Sequence, residues 1–367
     1  MANNSFGKVF RITTFGESHG EALGVIIDGC PAGLKINDND INAELALRKA
    51  GGNEYVSPRI EPDKAKIVSG VFTGKTTGTP IAIVIENKNP DCSKYAPIKN
   101  LLRPGHANFT YLEKYGIFDY CGGGRASARE TVCRVAAGAI AKKILQYYKI
   151  QLAAFVQSIG DIVAHIDIND ITKLKQVTYK QSIFCPDKTA AKSMLAKLNE
   201  IKQAGDSIGG TVGFIIANHP AGLGEPIYDK LEARLASAMM SIPAAKGFAI
   251  GSGFEAAKMQ GSQHNDIFVN NNGVITTKTN YAGGVLAGIT TGMPLIGQVA
   301  FKPIPSIKKP QETINLQKQK TVLQLPENSQ HDICAAIRAV PIVEAMCALV
   351  IADFLLLNRC AKLDSKE

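Results

Sequence analysis

Tryptophan is absent from this 367-residue sequence, and histidine occurs only six times. No CxxC pair, HExxH or other close His/Cys grouping is present, so a zinc site is not expected. Gly16-Glu17-Ser18-His19-Gly20 and Gly205-Asp206-Ser207-Ile208-Gly209 match GxSxG by letter only, and ordinary serine-hydrolase chemistry is not expected. Gly70 to Gly78 contains Gly74-Lys75-Thr76, but its leading glycine is out of register for a phosphate-binding P-loop, and a tight hairpin is expected there. A convincing GxGxxG after a strand is also missing, which argues against a Rossmann-held nicotinamide. The start, Met1-Ala2-Asn3-Asn4-Ser5, lacks the basic and apolar regions of a secretion signal.

Long clean hydrophobic runs are missing too. The most apolar stretch, Pro341 to Leu357, is interrupted by Glu344 and Asp353, each unfavourable by about 3 kcal/mol in hydrocarbon. A buried helix is therefore expected, with no membrane partner. The formal charge is +9, yet no basic stripe interleaved with aromatics accompanies it. Arg48, Arg59, Arg103, Arg125, Arg129 and Arg338 are scattered singly near Gly or His, which favours small anionic ligands over nucleic acid. The eight cysteines form no dense framework. Cys133, Cys334 and Cys347 fall in apolar helical patterns, so reduced thiols in a cytoplasmic protein are expected.

What is present describes a compact α/β protein. The chain is 45% hydrophobic and 20% charged, which excludes wholesale disorder. Short β-branched runs at Lys66 to Phe72, Pro80 to Ile85 and Gly210 to Ala217 have strand length. From Ala126 to Tyr148, the residues Val132, Val135, Ala136, Ala139, Ile140 and Ile144 recur at spacings of one helical face. Leu231 to Met240 and Asp332 to Leu357 repeat that pattern, and Pro341 should bend or divide the last helix. A single domain over 1–367 follows, with the direction of strand pairing left open.

The candidate chemistry lies in turns. His19 stands inside Gly16-Glu17-Ser18-His19-Gly20, His106 inside Arg103-Pro104-Gly105-His106-Ala107-Asn108, and His331 before Asp332. Imidazoles in backbone turns beside arginines suit proton transfer on an anionic substrate. In Gly122-Gly123-Gly124-Arg125-Ala126-Ser127-Ala128-Arg129, the glycines permit close backbone approach. The helix expected to follow would offer unpaired N–H donors to phosphate or carboxylate. Arg125 and Arg129, four residues apart, would share one helical face, with Ser127 as a hydroxyl donor. A second glycine-rich region, Asn280 to Gly292, precedes Phe301 to Ile307, where Lys302 is a point charge and Ser306 or Thr291 a hydroxyl donor.

The ordered set of these motifs resembles the chorismate synthase family over essentially the whole chain. The resemblance runs from Thr13-Thr14-Phe15-Gly16-Glu17-Ser18-His19-Gly20, through Arg103-Pro104-Gly105-His106 and Gly122-Gly123-Gly124-Arg125, to His331-Asp332 and Ile337-Arg338-Ala339-Val340-Pro341. It implies a β-α-β sandwich assembled as a homotetramer. The implied reaction is a carbon–oxygen lyase step, the 1,4-anti elimination of phosphate from 5-enolpyruvylshikimate 3-phosphate to give chorismate. Reduced FMN is required and not consumed. The chain has no added length for a flavin-reductase domain, so NADPH enters only as an indirect electron source through a separate reductase.

Carried onto this sequence, the resemblance makes His19 and His106 the acid/base pair and Asp332 the proton-accepting carboxylate. It gives Arg48, Arg103 and Arg129 to the substrate, and Arg125, Ser127, Gly284, Lys302 and Ser306 to the flavin. Three positions depart from the family pattern: Asn108 for an aspartate, Glu54 for a basic residue, and Gln330 for an arginine. Each lost charged contact is worth about 1.5 to 3 kcal/mol, so weaker substrate binding is expected. A catalytically silent flavin- or phosphate-binding relative is the competing reading.

Overall fold

Leu23, Val25 and Ile27, and likewise Ile81, Ile83 and Ile85, alternate along the chain and are all buried. That period of two turns one face of each strand inward. The two strands, Ala22–Asp28 and Ile81–Glu86, pair antiparallel with Val25 opposite Ile83. They form the middle of a five-stranded sheet completed by Ser5–Phe6, Arg11–Gly16 and Ala65–Ile67. A second five-stranded sheet runs in the order Ala245–Ile250, Leu295–Phe301, Gly210–Ala217, Gln151–Ile159, Ile162–Val163. Every pairing within both sheets is antiparallel. This computed structural model describes residues 4–49, 54–56, 61–326 and 331–363.

Helices fill the space between the sheets. Thr131–Tyr147 packs on the first sheet, Ala335–Asn358 on the second, and the two helices pack on each other. Gly138 makes their crossing close, since a Cβ there would fall 2.5 Å from the Cβ of Ala345. One hydrophobic cluster takes residues from both sheets and from the helices between them. The expected β-α-β sandwich is thus the observed architecture.

Several local expectations hold. Val71–Phe72 and Lys75–Thr76 form the hairpin expected in place of a P-loop. Its tip residues, Thr73 and Gly74, are both left-handed, with φ of 47° and 74°, as a two-residue hairpin turn requires. Pro341, by contrast, does not divide its helix, which runs unbroken from Ala335 to Asn358. Proline removes one hydrogen bond, and the burial of 20 residues of this helix outweighs that loss. Its two acids have partners. Asp353 accepts from the backbone N–H groups of Lys8, Val9 and Phe10. Glu344 accepts from Tyr179 at 2.7 Å and ion-pairs with Lys142 and Lys175. Burial works against the Glu344 charge, but the two lysines prevail and hold its carboxyl below the ordinary range.

The expectation of eight reduced thiols is overturned. Cys92 and Cys121 are joined by a disulfide, and the remaining six cysteines are free. The two partners lie 29 residues apart in loops that only the tertiary fold brings together.

Candidate active site

Between the sheets and the loops above them lies a cavity of about 1650 Å³. It is lined by His19, His106 and His331 together with Arg48, Arg103, Arg129 and Arg338. The three histidine turns, far apart in sequence, converge here.

His19 occupies the turn joining Arg11–Gly16 to Ala22–Asp28. Asn87, just past the strand Ile81–Glu86, braces this turn by donating from Nδ2 to the carbonyls of Glu17 and Gly20 at 3.1 and 2.7 Å. The imidazole Nδ1 accepts from the N–H of Asp91 at 2.9 Å, which leaves Nε2 as the protonated nitrogen of the neutral ring. Tyr95 meets the ring edge-on.

His106 lies in a turn clamped from two sides. Lys302 Nζ donates to the carbonyl of Gly105 at 2.8 Å, and Arg103 Nη2 donates to Ser306 Oγ at 2.8 Å. Asn108 closes the turn from beneath: its Oδ1 accepts from the N–H of Arg103 and its Nδ2 donates to the carbonyl of Leu101. Burial first, then Arg103, His331 and Lys302, push the His106 imidazole down to about 3. His331 is pushed down to about 4, by burial and Arg103 against the opposing pull of Asp332. Both rings are neutral proton acceptors at neutral pH.

The triple glycine does something different from what its composition implied. Gly122, Gly123 and Gly124 are all left-handed. A Cβ on Gly122 would stand 2.5 Å from His19 Cδ2, and one on Gly123 would stand 3.0 Å from His106 Cε1. The glycines thus let two imidazoles pack against one stretch of backbone. The α-helix begins only at Thr131, after two 3-10 turns separated by the extended Ser127. Arg125 and Arg129 consequently do not share a helical face. Arg125 turns back to Thr14 Oγ1 and the carbonyl of Gly16, tying the loop to the first sheet. Arg129 reaches Asn87 through Nε at 3.1 Å and ion-pairs with Asp63.

Arg48 is fully buried. Its donors go to Thr131 Oγ1 at 2.9 Å, to the Ala128 carbonyl at 2.9 Å and to Asp63 at 3.4 Å. It therefore offers charge to the cavity more than free N–H groups. Burial and then Arg338 push it down to about 9, with Asp63 opposing. Asp332 pairs with Arg338 through both carboxylate oxygens at 3.2 Å. Among the described residues, His106 Nδ1, Arg129 Nη2 and Arg338 Nε are buried without a hydrogen-bond partner. All three residues line the cavity, so these polar atoms are available to a ligand's anionic and polar groups.

Of the residues expected in the site, His19, His106, Asp332, Arg48, Arg103, Arg125, Ser127, Arg129, Lys302 and Ser306 all line the cavity. Gly284 does not. It lies in the loop before Val285–Leu286, where a Cβ would stand 2.6 Å from the carbonyl oxygens of Met293 and Pro294. Sequence reasoning gave no role to Asp63, Asn87 or Arg338. Arg338 alone had a signal, as one of the arginines scattered near Gly or His and six residues past Asp332. Of the three departures, Glu54 is exposed and paired with Lys202 at 2.6 Å, away from the cavity lining. Asn108 lies behind the cavity as the brace described above, and Gln330 falls outside the described residues.

The chain is similar to known proteins along almost its whole length. The family model described as Chorismate synthase matches residues 10–356. A Protochlamydia amoebophila protein named chorismate synthase is 53% identical over 99% of this chain and 100% of its own. One of the same name from Synechocystis is 50% identical over 96% of this chain and 97% of its own. A crystal structure of a chorismate synthase superposes with a TM-score of 0.77 at 33% identity, covering 96% of this chain and 93% of that one.

Proposed function

The chain belongs to the chorismate synthase family, and on that premise we propose how its own residues carry the reaction. The activity is the loss of phosphate from 5-enolpyruvylshikimate 3-phosphate, giving chorismate. The single observation that carries the residue assignment is the convergence of three histidines and unpartnered arginine donors in one cavity.

The size of the cavity supports a site for reduced FMN beside the substrate. Its volume of about 1650 Å³ exceeds the roughly 300 to 1000 Å³ of single small-molecule sites. Lys302, Ser306 and Ser127 would hold the flavin, with Lys302 toward its phosphate and Arg125 fixing the loop beneath. When bound, reduced FMN supplies transient electron density for C–O cleavage and is not consumed.

Arg129 and Arg338, with their unpartnered nitrogens, meet the substrate's carboxylates and phosphate, and Arg103 and Arg48 add charge. Burial first, and then the cations Arg103 and Lys302, suppress protonation of His106. An arriving phosphate offsets that field, raises the ring's proton affinity, and lets it hold a proton toward the departing group. His19 is the acid/base group on the flavin side. Asp332, steered by Arg338, is the proton-accepting carboxylate.

The same reading makes the protein a cytoplasmic homotetramer whose flavin is reduced at the expense of NADPH. The hairpin strands Phe268–Asn271 and Val274–Thr277 support association, since Phe268, Val269, Val274 and Ile275 are all exposed. The test is anaerobic turnover of 5-enolpyruvylshikimate 3-phosphate with chemically reduced FMN, following chorismate and phosphate together. Equal formation of both products is expected. No product from folded protein that binds FMN would reject the assignment.

A further inference from the structure

We propose that Cys92 and Cys121 form a thiol–disulfide exchange site, addressed by dithiol reductants, whose state sets how firmly His19 is seated in the cavity. The two residues are joined with their Cα atoms 4.8 Å apart. Each is the chain neighbour of a residue that touches His19. The N–H of Asp91 holds His19 Nδ1 at 2.9 Å, and Gly122 lies so near the ring that a Cβ there would be 2.5 Å from Cδ2. Tyr95, three residues past Cys92, contacts the same imidazole edge-on at 5.5 Å. The bridge thus ties together the two loops that grip one imidazole.

The other cysteines lack this chemistry. Cys30, Cys133, Cys185, Cys334 and Cys347 are buried. Burial pushes the thiols of Cys30 and Cys185 up to about 11 and those of Cys133 and Cys334 up to about 12, which leaves them almost no thiolate. Cys360 is exposed but stands alone beyond the C-terminal helix. Cys92 and Cys121 combine partial exposure with a partner. In a reducing compartment, such a pair is a reversible element more than a permanent staple.

The exchange balances. A thiolate of the dithiol attacks one protein sulfur, the Cys92–Cys121 bond breaks, and a mixed disulfide forms. The reagent's second thiol resolves it, so the protein gains two thiols and the dithiol becomes a cyclic disulfide; two electrons and two protons pass to the protein. A low-molecular-weight disulfide reverses the step. Once reduced, Asp91-Cys92 and Cys121-Gly122 are no longer tethered, and the Asp91–His19 hydrogen bond opens more often. The inference rests on the proposed acid/base role of His19 only for its consequence on turnover.

The full chain is equilibrated in buffers of reduced and oxidised dithiothreitol, alkylated, and mapped by mass spectrometry, with amide hydrogen exchange followed at Asp91. Cys92 and Cys121 should be protected in the oxidised buffer and released together in one transition. The Asp91 amide should exchange at least about tenfold faster after reduction. A Cys92→Ser/Cys121→Ser variant should show the fast rate in either buffer, and Cys360→Ser should behave as the wild type. Alkylation of both cysteines in the oxidised buffer would overturn the proposal, as would an Asp91 exchange rate that reduction leaves unchanged. Turnover is compared with photoreduced flavin, free of thiol reductants. Absent turnover in both redox states would count against the reaction assignment, whereas alkylation and exchange decide the thiol site by themselves.

Discussion

Replacing Asp63 with asparagine perturbs the cavity wall at its electrostatic centre. The carboxylate is buried between two guanidinium groups, accepting from Arg48 Nη1 at 3.4 Å and ion-pairing with Arg129. Burial and Arg338 already push Arg48 down to about 9, and Asp63 is foremost among the groups opposing them. The substituted amide would keep the shape and one acceptor oxygen while removing the charge. Breaking one side of a buried ion pair destabilises by about 3 to 5 kcal/mol. The retained acceptor argues for the low end, about 3 kcal/mol. In a chain of this length each kcal/mol lowers Tm by about 2 °C, so a drop of about 6 °C is expected in a thermal melt at pH 7. An anion-binding cavity adds a second signature. Inorganic phosphate should raise the Tm of the Asp63→Asn variant more than that of the wild type, because it returns the missing counter-charge. A drop under about 2 °C, with phosphate stabilising both proteins equally, would refute the reasoning.

Three further outcomes are expected. Asn108→Asp removes the donor to the Leu101 carbonyl and buries a carboxylate where an amide bridged the turn; a loss of about 1 to 3 kcal/mol should appear in urea unfolding. Gly122→Ala places a methyl 2.5 Å from His19 at a φ of 71°, and displacement of the ring should lower phosphate release about 100-fold with the far-ultraviolet spectrum unchanged. His106 and His331 are held down to about 3 and about 4 from an ordinary 6.5. Because the unfolded rings bind protons at higher pH than the folded ones, this contribution is whole above about pH 6.5 and is lost as pH falls toward 3, by about 4 kcal/mol after allowance for partial solvation. His106→Gln should flatten that part of the pH profile in denaturant titrations, and an unchanged slope would contradict it.

Local physics was readable from the sequence, and long-range pairing was not. Alternating isoleucines in Ile81–Glu86 and a three-four spacing in Thr131–Tyr147 disclosed strand and helix because each pattern is complete within its own segment. The triple glycine was legible as a place of close approach, but its partners were two histidines about 100 and 17 residues away along the chain. Asp63 and Asn87 carried no signal at all. Their roles exist only where the loop after Pro62 and the end of a strand meet Arg129. The same limit hid the Cys92–Cys121 bridge and the packing of Gly284 against the carbonyl oxygens of Met293 and Pro294.

The departures from the family pattern illustrate why position in space decides what a substitution does. A carboxylate at Glu54 would oppose an anionic substrate only if it faced the cavity, yet it is largely exposed and its charge is met by Lys202. Surface pairs of this kind contribute little and are screened by salt, so Glu54 takes little from the field at Arg129 or Arg338. Asn108 removes a negative charge, not a positive one, and the amide supplies both the donor and the acceptor that its turn requires. An aspartate there can satisfy the Arg103 N–H but has no proton for the Leu101 carbonyl when ionised. The amide is therefore matched to the backbone of this chain, and the two described departures give no reason to expect a silent cavity.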